Sequence, residues 1–464
     1  MTRNLPLSHA DLNERVRNAE GTLVNQGFSK NSILALAFPN SIDFVVWLLA
    51  AFRMGASVLP VNPRSSAPEL LSALNRSGAR FLASTEGFSA PEKSEWIQIL
   101  SKGVTTSLWC LPIDQNDASR NKDPSSLIHQ FTSGSTGMPR LLIRNERQVL
   151  EDYAHFMRAL EIKASDRFLL IPPIYHAFGM LGLFAGLASG ATTYSIDRFL
   201  PAEVLRMASS FQPTVVFATP VMVEMLGACF LSAGDAAAFK SVRHFICSTD
   251  RLKKSVRDLF FERFGMPVRV QYGSTETLSA TIDLTDNYIE GKVGRPYPGV
   301  AVRIFDDHGE ALNASATGRV GIKSPAAAES YADELSPKLE IIDGYVIPGD
   351  RGYLDTSGDL YIVGRDGIYN IGGWKVDPLE ISAVISAALD VSHVAVLPFT
   401  RAGQSAIRVV IESRDFSLQP DDVISLCRKS LSAYKVPAKV EIYASLNRDE
   451  NGKVRLSDLP SDRP

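Results

Sequence analysis

The chain has 464 residues, of which 45% are hydrophobic and 21% charged, and carries a formal net charge of −3. That length holds two or three domains with substantial cores, and the charge balance gives neither nucleic acid nor an anionic membrane an electrostatic claim. The four cysteines, Cys110, Cys229, Cys247 and Cys427, form no Cys-x-x-Cys pair, which argues against a zinc knuckle or disulfide framework and suits a reducing cytoplasm.

In chain order, the first ten residues hold no apolar signal core. Ala10 to Asn25 has helical apolar spacing, with Ser8 placed to cap it. Ser32 to Phe38 reads as a buried strand. The apolar run Phe44 to Phe52, ended by Arg53, reads as a buried helix far too short to span a bilayer. Ala56 to Val61 predicts a strand and Ala67 to Ser77 a helix. Strand-like runs recur at 168–172, 191–196, 214–219 and 244–247, with helical segments between them. Such alternation predicts parallel sheets covered on both faces. From Gly294 the pattern changes: 300–305 and 318–323 read as antiparallel segments joined by Asp/Gly turns. The last hundred residues predict helices at 379–388 and 422–432 and strands at 391–397 and 407–411, enough for a small α+β domain. The expected fold class is α/β: a large N-terminal domain (1–364) of parallel-rich sheets with helices plus a β subdomain, and a small C-terminal α+β domain (365–464).

The densest chemical signal is the run Thr132, Ser133, Gly134, Ser135, Thr136, Gly137, Met138, Pro139, Arg140. Its glycines let backbone amides converge on an anion, its hydroxyls turn to suit, and Arg140 is the candidate cation. Alone, a Gly/Ser run is more often a linker. The flanking apolar segments, which look like a strand pair, and the stiff Met-Pro ending weigh against that. It is not a Walker loop, since no Gly-Lys-Ser/Thr opens a helix.

A second run, Gln271, Tyr272, Gly273, Ser274, Thr275, Glu276, Thr277, follows a predicted strand and so falls at the sheet edge where α/β folds bind ligands. Tyr272 suits stacking on a purine, Thr275 donation to a phosphate and Glu276 a hard cation such as Mg²⁺; taken alone, the run is a surface turn. Asp350 beside a tight turn suits ribose hydroxyls, or is an ordinary turn aspartate. Lys453 in Asp-Glu-Asn-Gly-Lys-Val reads as a solvated lysine on a hairpin. His176 is a lone histidine among apolar residues, a type more often packed than catalytic.

Order and spacing change these odds. Nearly the whole chain resembles the adenylate-forming superfamily, which includes acyl- and aryl-CoA ligases, luciferases and peptide-synthetase adenylation domains. Thr132–Arg140 is similar to its phosphate loop, with Arg140 where lysine is usual. Tyr272–Glu276 is similar to its nucleotide motif, Val293–Gly299 to the segment after it, Gly349 and Asp350 to its ribose motif, and Gly364 and Arg365 to the start of its hinge. Gly372–Glu380 resembles its C-terminal loop, and Tyr434–Pro437 and Gly452–Val454 resemble its closing motifs.

The resemblance implies activation of a carboxylic acid by ATP to an acyl-adenylate, then thioester formation with coenzyme A. It places Lys453 across the substrate carboxylate and α-phosphate, the 131–140 loop on the β- and γ-phosphates, Thr275 on the α-phosphate, Glu276 on Mg²⁺, and Asp350 with Arg365 on the ribose. It places His176 beside the substrate carboxylate and Gly372, Gly373 and Trp374 near the thiol. The expected acid pocket is Phe178, Met180, Val221, Met222, Ser248, Thr249 and Leu278. No aspartate stands in Ile174–Met180 to pair with an ammonium, so an aryl or short-to-medium aliphatic acid is expected.

Ser248–Arg251 stands where relatives usually show Gly-Gly-Ala-Pro, which predicts a reshaped pocket for a compact or flat acid. The hinge reads about one residue short, so its pivot falls on Asp366 or Gly367. Two alternatives stay open: loading of the acid onto the pantetheine of an acyl carrier protein, and a non-catalytic acyl- or nucleotide-binding homologue. Arg401, Arg408, Arg414, Arg428 and Lys429 are expected to be solvated surface.

Overall fold

The computed structural model describes residues 7–86, 88, 97–100, 106–110, 126–132, 139–229, 237–286, 288–332, 338–365, 367, 369–371, 374–376, 378–401, 404–431, 433–450, 452, 454–455 and 458–459. The chain divides into two compact units, one of Met1–Val302 with Gly321–Pro348, the other of Arg303–Val320 with Gly349–Pro464.

The first unit opens with the helix His9–Asn25, capped by Ser8 in a capping box with Asp11. Its first sheet has seven strands among the described residues. The strand Ile33–Ala37 lies parallel to both Ser57–Pro60 and Phe81–Thr85. All five residues of Ile33–Ala37 are buried, as the unbroken apolar run predicted for a parallel strand. The helices Ile42–Arg53 and Ala67–Ser77 fall where the apolar spacing placed them. At one edge Ser126–Phe131 turns back antiparallel into Leu141–Asn145.

A second run of parallel strands carries Thr192–Ser195, Arg167–Leu170, Val215–Ala218, His244–Cys247 and Val268–Ser274 in that spatial order. Parallel strands send their C-terminal ends to one edge. The residues after Leu170, Ala218, Cys247 and Tyr272 therefore gather there, at the place where open α/β sheets bind ligands. Val268–Ser274 then reverses into Leu278–Ile282, and Lys292–Pro296 adds a further antiparallel strand.

The second unit contains the paired strands Asp350–Leu354 and Leu360–Arg365 and a hairpin of Tyr369–Ile371 with Trp374–Val376. Among the described residues it also holds a three-stranded sheet of His393–Arg401, Gln404–Glu412 and Lys439–Tyr443. The helices Pro378–Ala388 and Pro420–Ser430 pack on that sheet through Ile381, Ile385, Val423 and Cys427, against Val409, Ile411 and Val440. Arg408, expected among solvated surface charges, is instead buried on the central strand and ion-paired with Glu441. Its place opposite Lys439 in a parallel ladder takes it out of water and requires a partner charge.

Candidate active site

Thr132 and Arg140, the ends of the Gly/Ser run, follow and precede the paired strands Ser126–Phe131 and Leu141–Asn145. The hairpin closes just inside the loop: the Thr132 N–H donates to the Arg140 carbonyl at 2.9 Å, and the Arg140 N–H donates to Thr132 Oγ1 at 3.0 Å. The strand pair expected on either side is present, and a strand rather than a helix follows the run. Ser133, Gly134, Ser135, Thr136, Gly137 and Met138 lie outside the described residues.

The nucleotide run turns between Val268–Ser274 and Leu278–Ile282. Gly273 is required there, because a Cβ would stand 2.1 Å from the Leu278 carbonyl oxygen, at the register shift after Tyr272. Ser274 and Thr277 lock the turn by exchanging backbone N–H to hydroxyl bonds, each 3.2 Å. Thr275 and Glu276 are thereby presented at the tip, both half-buried. The hairpin and the turn then meet through one side chain that sequence reading did not single out, Tyr331. Arg140 Nη1 donates to Tyr331 Oη at 3.0 Å, and Tyr331 Oη donates to Glu276 Oε1 at 2.8 Å. The Arg140 guanidinium also lies 5.2 Å from the Tyr331 ring centroid. Burial, then the Glu276 charge, push the Tyr331 hydroxyl up to about 12, so it stays protonated.

Beneath the turn lies a buried polar layer. Arg144, 1% exposed, donates to the carbonyls of Ala326 (2.9 Å) and Thr275. Burial pushes its guanidinium down to about 10 against the pull of Asp152 and Glu276, so it remains charged at neutral pH. Asp152 Oδ1 accepts from the Ser279 N–H at 2.9 Å. Gln271 accepts from Tyr297 Oη at 3.0 Å and donates to Ser279 Oγ at 3.2 Å. The nucleotide turn therefore rests on hydrogen-bonded groups rather than on a greasy core, which fixes its angle.

The residues expected around the acid begin on the turn before the helix Ala177–Ser189. Buried Asn40 clamps that turn, donating to the carbonyls of Pro172 (3.0 Å) and Ile196 (2.9 Å) and accepting from the Ile174 N–H (2.7 Å). Gly179 lets the helix approach, since a Cβ would meet the Pro173 carbonyl oxygen at 2.2 Å. His176 is the helix N-cap, half-buried, its ring 4.8 Å from that of Tyr175. Of the expected pocket residues, Phe178, Met180, Met222 and Ser248 are buried, while Val221, Thr249 and Leu278 are half-buried. Phe178 leans on Phe217 at 4.9 Å between ring centroids. Thr249 has φ 88° and Leu278 φ 56°, both in the left-handed region, and the Thr249 hydroxyl is buried with no partner among the described residues.

In the second unit, Asp350 is buried and stands opposite Arg365 in register across the strand pair, so the two residues expected at the ribose lie on neighbouring strands. Gly349 before it has φ 87°, in the left-handed region, at a bend in the chain. Ile371 pairs with Trp374 across a hairpin, while Gly372 and Gly373 lie outside the described residues. Lys453 also lies outside them. Its neighbour Gly452 closes a turn onto the Asp449 carbonyl at 2.9 Å, and Val454 bridges to Arg448.

Residues 3–332 match the family described as AMP-binding enzyme. The chain belongs to that family. Relatives of this AMP-binding enzyme span nearly its whole length. An oxalate–CoA ligase of Arabidopsis thaliana is 26% identical over 97% of this chain and 92% of its own. A 4-chlorobenzoate–CoA ligase of an Arthrobacter species is 27% identical over 98% and 89%. The O-succinylbenzoate coenzyme A synthetase of Bacillus subtilis, solved with ATP and magnesium, shares the fold at a TM-score of 0.78, with 21% identity over 98% of this chain and 95% of that one. No helix among the described residues is long and apolar enough to cross a membrane.

The donors of this AMP-binding enzyme fit Mg²⁺ shared with a nucleotide. Glu276 offers a hard carboxylate, and no cluster of three or more His, Cys, Asp or Glu suited to a metal occurs among the described residues. One protein carboxylate, with phosphates and water for the other positions, is a usual arrangement for Mg²⁺. Tyr331, Arg144 and Asn40 escaped sequence reading because each is far in sequence from the group it holds.

Proposed function

We propose that this chain joins a compact or flat carboxylic acid to coenzyme A in two half-reactions driven by ATP with Mg²⁺. The observation that carries the reading is the meeting of Arg140, at the mouth of the phosphate hairpin, with Glu276, at the tip of the nucleotide turn, through Tyr331. A cation for phosphate oxygens and a carboxylate for Mg²⁺ are thus set side by side.

In the first half-reaction a carboxylate oxygen of the acid attacks the α-phosphorus of ATP, the α–β P–O bond breaks, and pyrophosphate leaves. Charge develops on the transferring phosphoryl group, so oriented donors and cations supply most of the stabilisation. Arg140 and the hydroxyls of Thr132, Ser133, Ser135 and Thr136 hold the leaving pyrophosphate. Thr275 donates to the α-phosphate, Lys453 neutralises the charge between acid and phosphate, and Asp350 with Arg365 holds the ribose. Mg²⁺, when bound at Glu276, draws negative charge from the phosphate oxygens. In the second half-reaction the thiol gives its proton to water, its sulfur attacks the acyl carbon, and the acyl–phosphate C–O bond breaks to release AMP. The loop from Gly372 to Lys375 serves this step, and a pivot at Asp366 or Gly367 exchanges it for Lys453.

His176 lies beside the acid's carboxylate, and Phe178, Met180, Val221, Met222, Ser248, Thr249 and Leu278 shape its pocket. Apolar walls without an aspartate disfavour an α-ammonium. A side chain at Thr249 narrows the space further, which supports a compact or flat acid; relatives named for oxalate and for 4-chlorobenzoate fit that class.

The test is a panel of short aliphatic, aryl, long-chain and amino acids, each offered with ATP, Mg²⁺ and either coenzyme A or an acyl carrier protein. Thioester formation with aryl or short acids and coenzyme A is expected. Turnover with the carrier alone assigns the carrier-loading reaction, a preference for long-chain acids overturns the pocket assignment, and no acid-dependent pyrophosphate release refutes catalysis.

A further inference from the structure

Tyr331 sits between two groups that the reading above gives to different tasks, Arg140 for phosphate and Glu276 for Mg²⁺. A guanidinium has no acceptor and a carboxylate no donor. The tyrosine hydroxyl must therefore accept from Arg140 at 3.0 Å and give its one proton to Glu276 at 2.8 Å. Its direction is fixed by its neighbours. The backbone around it is strapped on both sides as well. The Ala328 N–H donates to the Glu276 carbonyl at 2.8 Å, and the Ala332 N–H donates to the Leu141 carbonyl at 2.8 Å. Arg144 and Gln148 hold the carbonyls of Ala326 and Ala327. The ring packs against the buried cluster of Leu142, Ala328, Leu339 and Val346. So much anchoring around one phenol exceeds what filling space requires.

We infer that Tyr331 is a positioning residue for the ATP half-reaction: its hydroxyl is a polar spacer that keeps Arg140 and Glu276 apart and aimed, so that neither is lost to a direct ion pair before Mg²⁺ and nucleotide arrive. Without the hydroxyl, a cation and a carboxylate in a half-buried site close into a charge-assisted pair. Mg²⁺ and the phosphates must then break that pair to bind. The inference rests on the roles proposed for Arg140 and Glu276.

The variant Tyr331→Phe keeps the ring and its packing and removes only the spacer. Calorimetry should show binding of ATP with Mg²⁺ weakened about tenfold, the size expected when a hydrogen bond to a charged group is lost. Thioester formation from supplied acyl-adenylate should match wild type, and the melting temperature should stay close to it. In a Glu276→Gln background no ion pair forms, so adding Tyr331→Phe should weaken ATP binding by less than twofold. That coupling separates a spacer from a residue that merely supports the loop. Wild-type binding by Tyr331→Phe, an equal loss in both half-reactions, or full additivity with Glu276→Gln overturns the inference. A wild-type chain that binds no ATP with Mg²⁺ would instead defeat the functional reading beneath it.

Discussion

Thr249 holds φ at 88°, a conformation that a β-branched side chain resists because its Cβ crowds the backbone. Such residues cost about 1–3 kcal/mol each and persist where surrounding structure imposes them, commonly at functional sites. Here the cost falls at the sheet edge where the acid is proposed to bind, and the side chain ends in a buried hydroxyl without a partner among the described residues. Thr249→Gly removes the strain and adds chain entropy to the unfolded state. It should raise the unfolding free energy by about 1 kcal/mol, read from the urea midpoint, while admitting bulkier acids. A lower midpoint with an unchanged acid range would separate Thr249 from the pocket. The substitution of a side chain for glycine here was legible in the sequence, but the left-handed backbone was not. Tyr331 was invisible for another reason: in Ala-Ala-Ala-Glu-Ser-Tyr-Ala no spacing marks a tyrosine as functional, and its partners come from two distant turns.

The strand pair flanking the Gly/Ser run was legible as two apolar segments around it, because strand pairing is written in local patterning. The element that supports the nucleotide turn was not, because Arg144 looks like an ordinary exposed charge at the end of Leu-Leu-Ile. Its burial makes it a strut, donating to the carbonyls of Thr275 and Ala326. Arg144→Ala leaves those carbonyls and the Asp152 charge without their buried partner. Unfolding free energy should fall by about 3 kcal/mol, and binding of ATP with Mg²⁺ should weaken as Thr275 shifts; unchanged values for both would contradict the strut.

An ion pair between Arg243 and Asp166 ties adjoining elements. Asp166 accepts from Arg243 and Thr214, the latter at 2.6 Å. Burial pushes its carboxyl up, but the hydrogen bonds from Arg243, Thr214 and the Lys163 N–H, with the Arg243 charge, outweigh this and bring it to about 2. A depressed carboxylate stabilises the fold above its unfolded pKa of about 4 and loses that contribution as pH falls through its folded value. Asp166→Asn should therefore be less stable than wild type at pH 7, and the gap should narrow as pH falls from about 4 towards 2. A gap that is constant across that range would rule out the carboxylate charge as its source.

At the scale of the whole molecule, the alternation of helices and buried strands up to residue 300, and the fresh α+β set in the last hundred residues, were legible because both rest on hydrophobic period. The extent of the second compact unit was harder to read. It takes in Arg303–Val320 as well as Gly349–Pro464, and no local sequence pattern reports which unit a β segment joins. The roles proposed for Lys453 and for the loop from Gly372 to Lys375 give different segments of the second unit to different steps, which would require a pivot. Proline at position 366 or 367 restricts that pivot. One of Asp366→Pro and Gly367→Pro should release pyrophosphate from ATP with the acid at near wild-type rate yet form thioester at least tenfold more slowly. Equal loss of both steps in both variants would place the pivot elsewhere.

Activation of the acid through its adenylate makes the two half-reactions separable. Its most direct test is to replace Lys453 by alanine and measure the two half-reactions separately, with the preferred acid from the panel. Acid-dependent pyrophosphate release should be all but abolished, while thioester formation from supplied acyl-adenylate and coenzyme A should remain largely intact. Equal loss of both, or wild-type pyrophosphate release, would contradict the account.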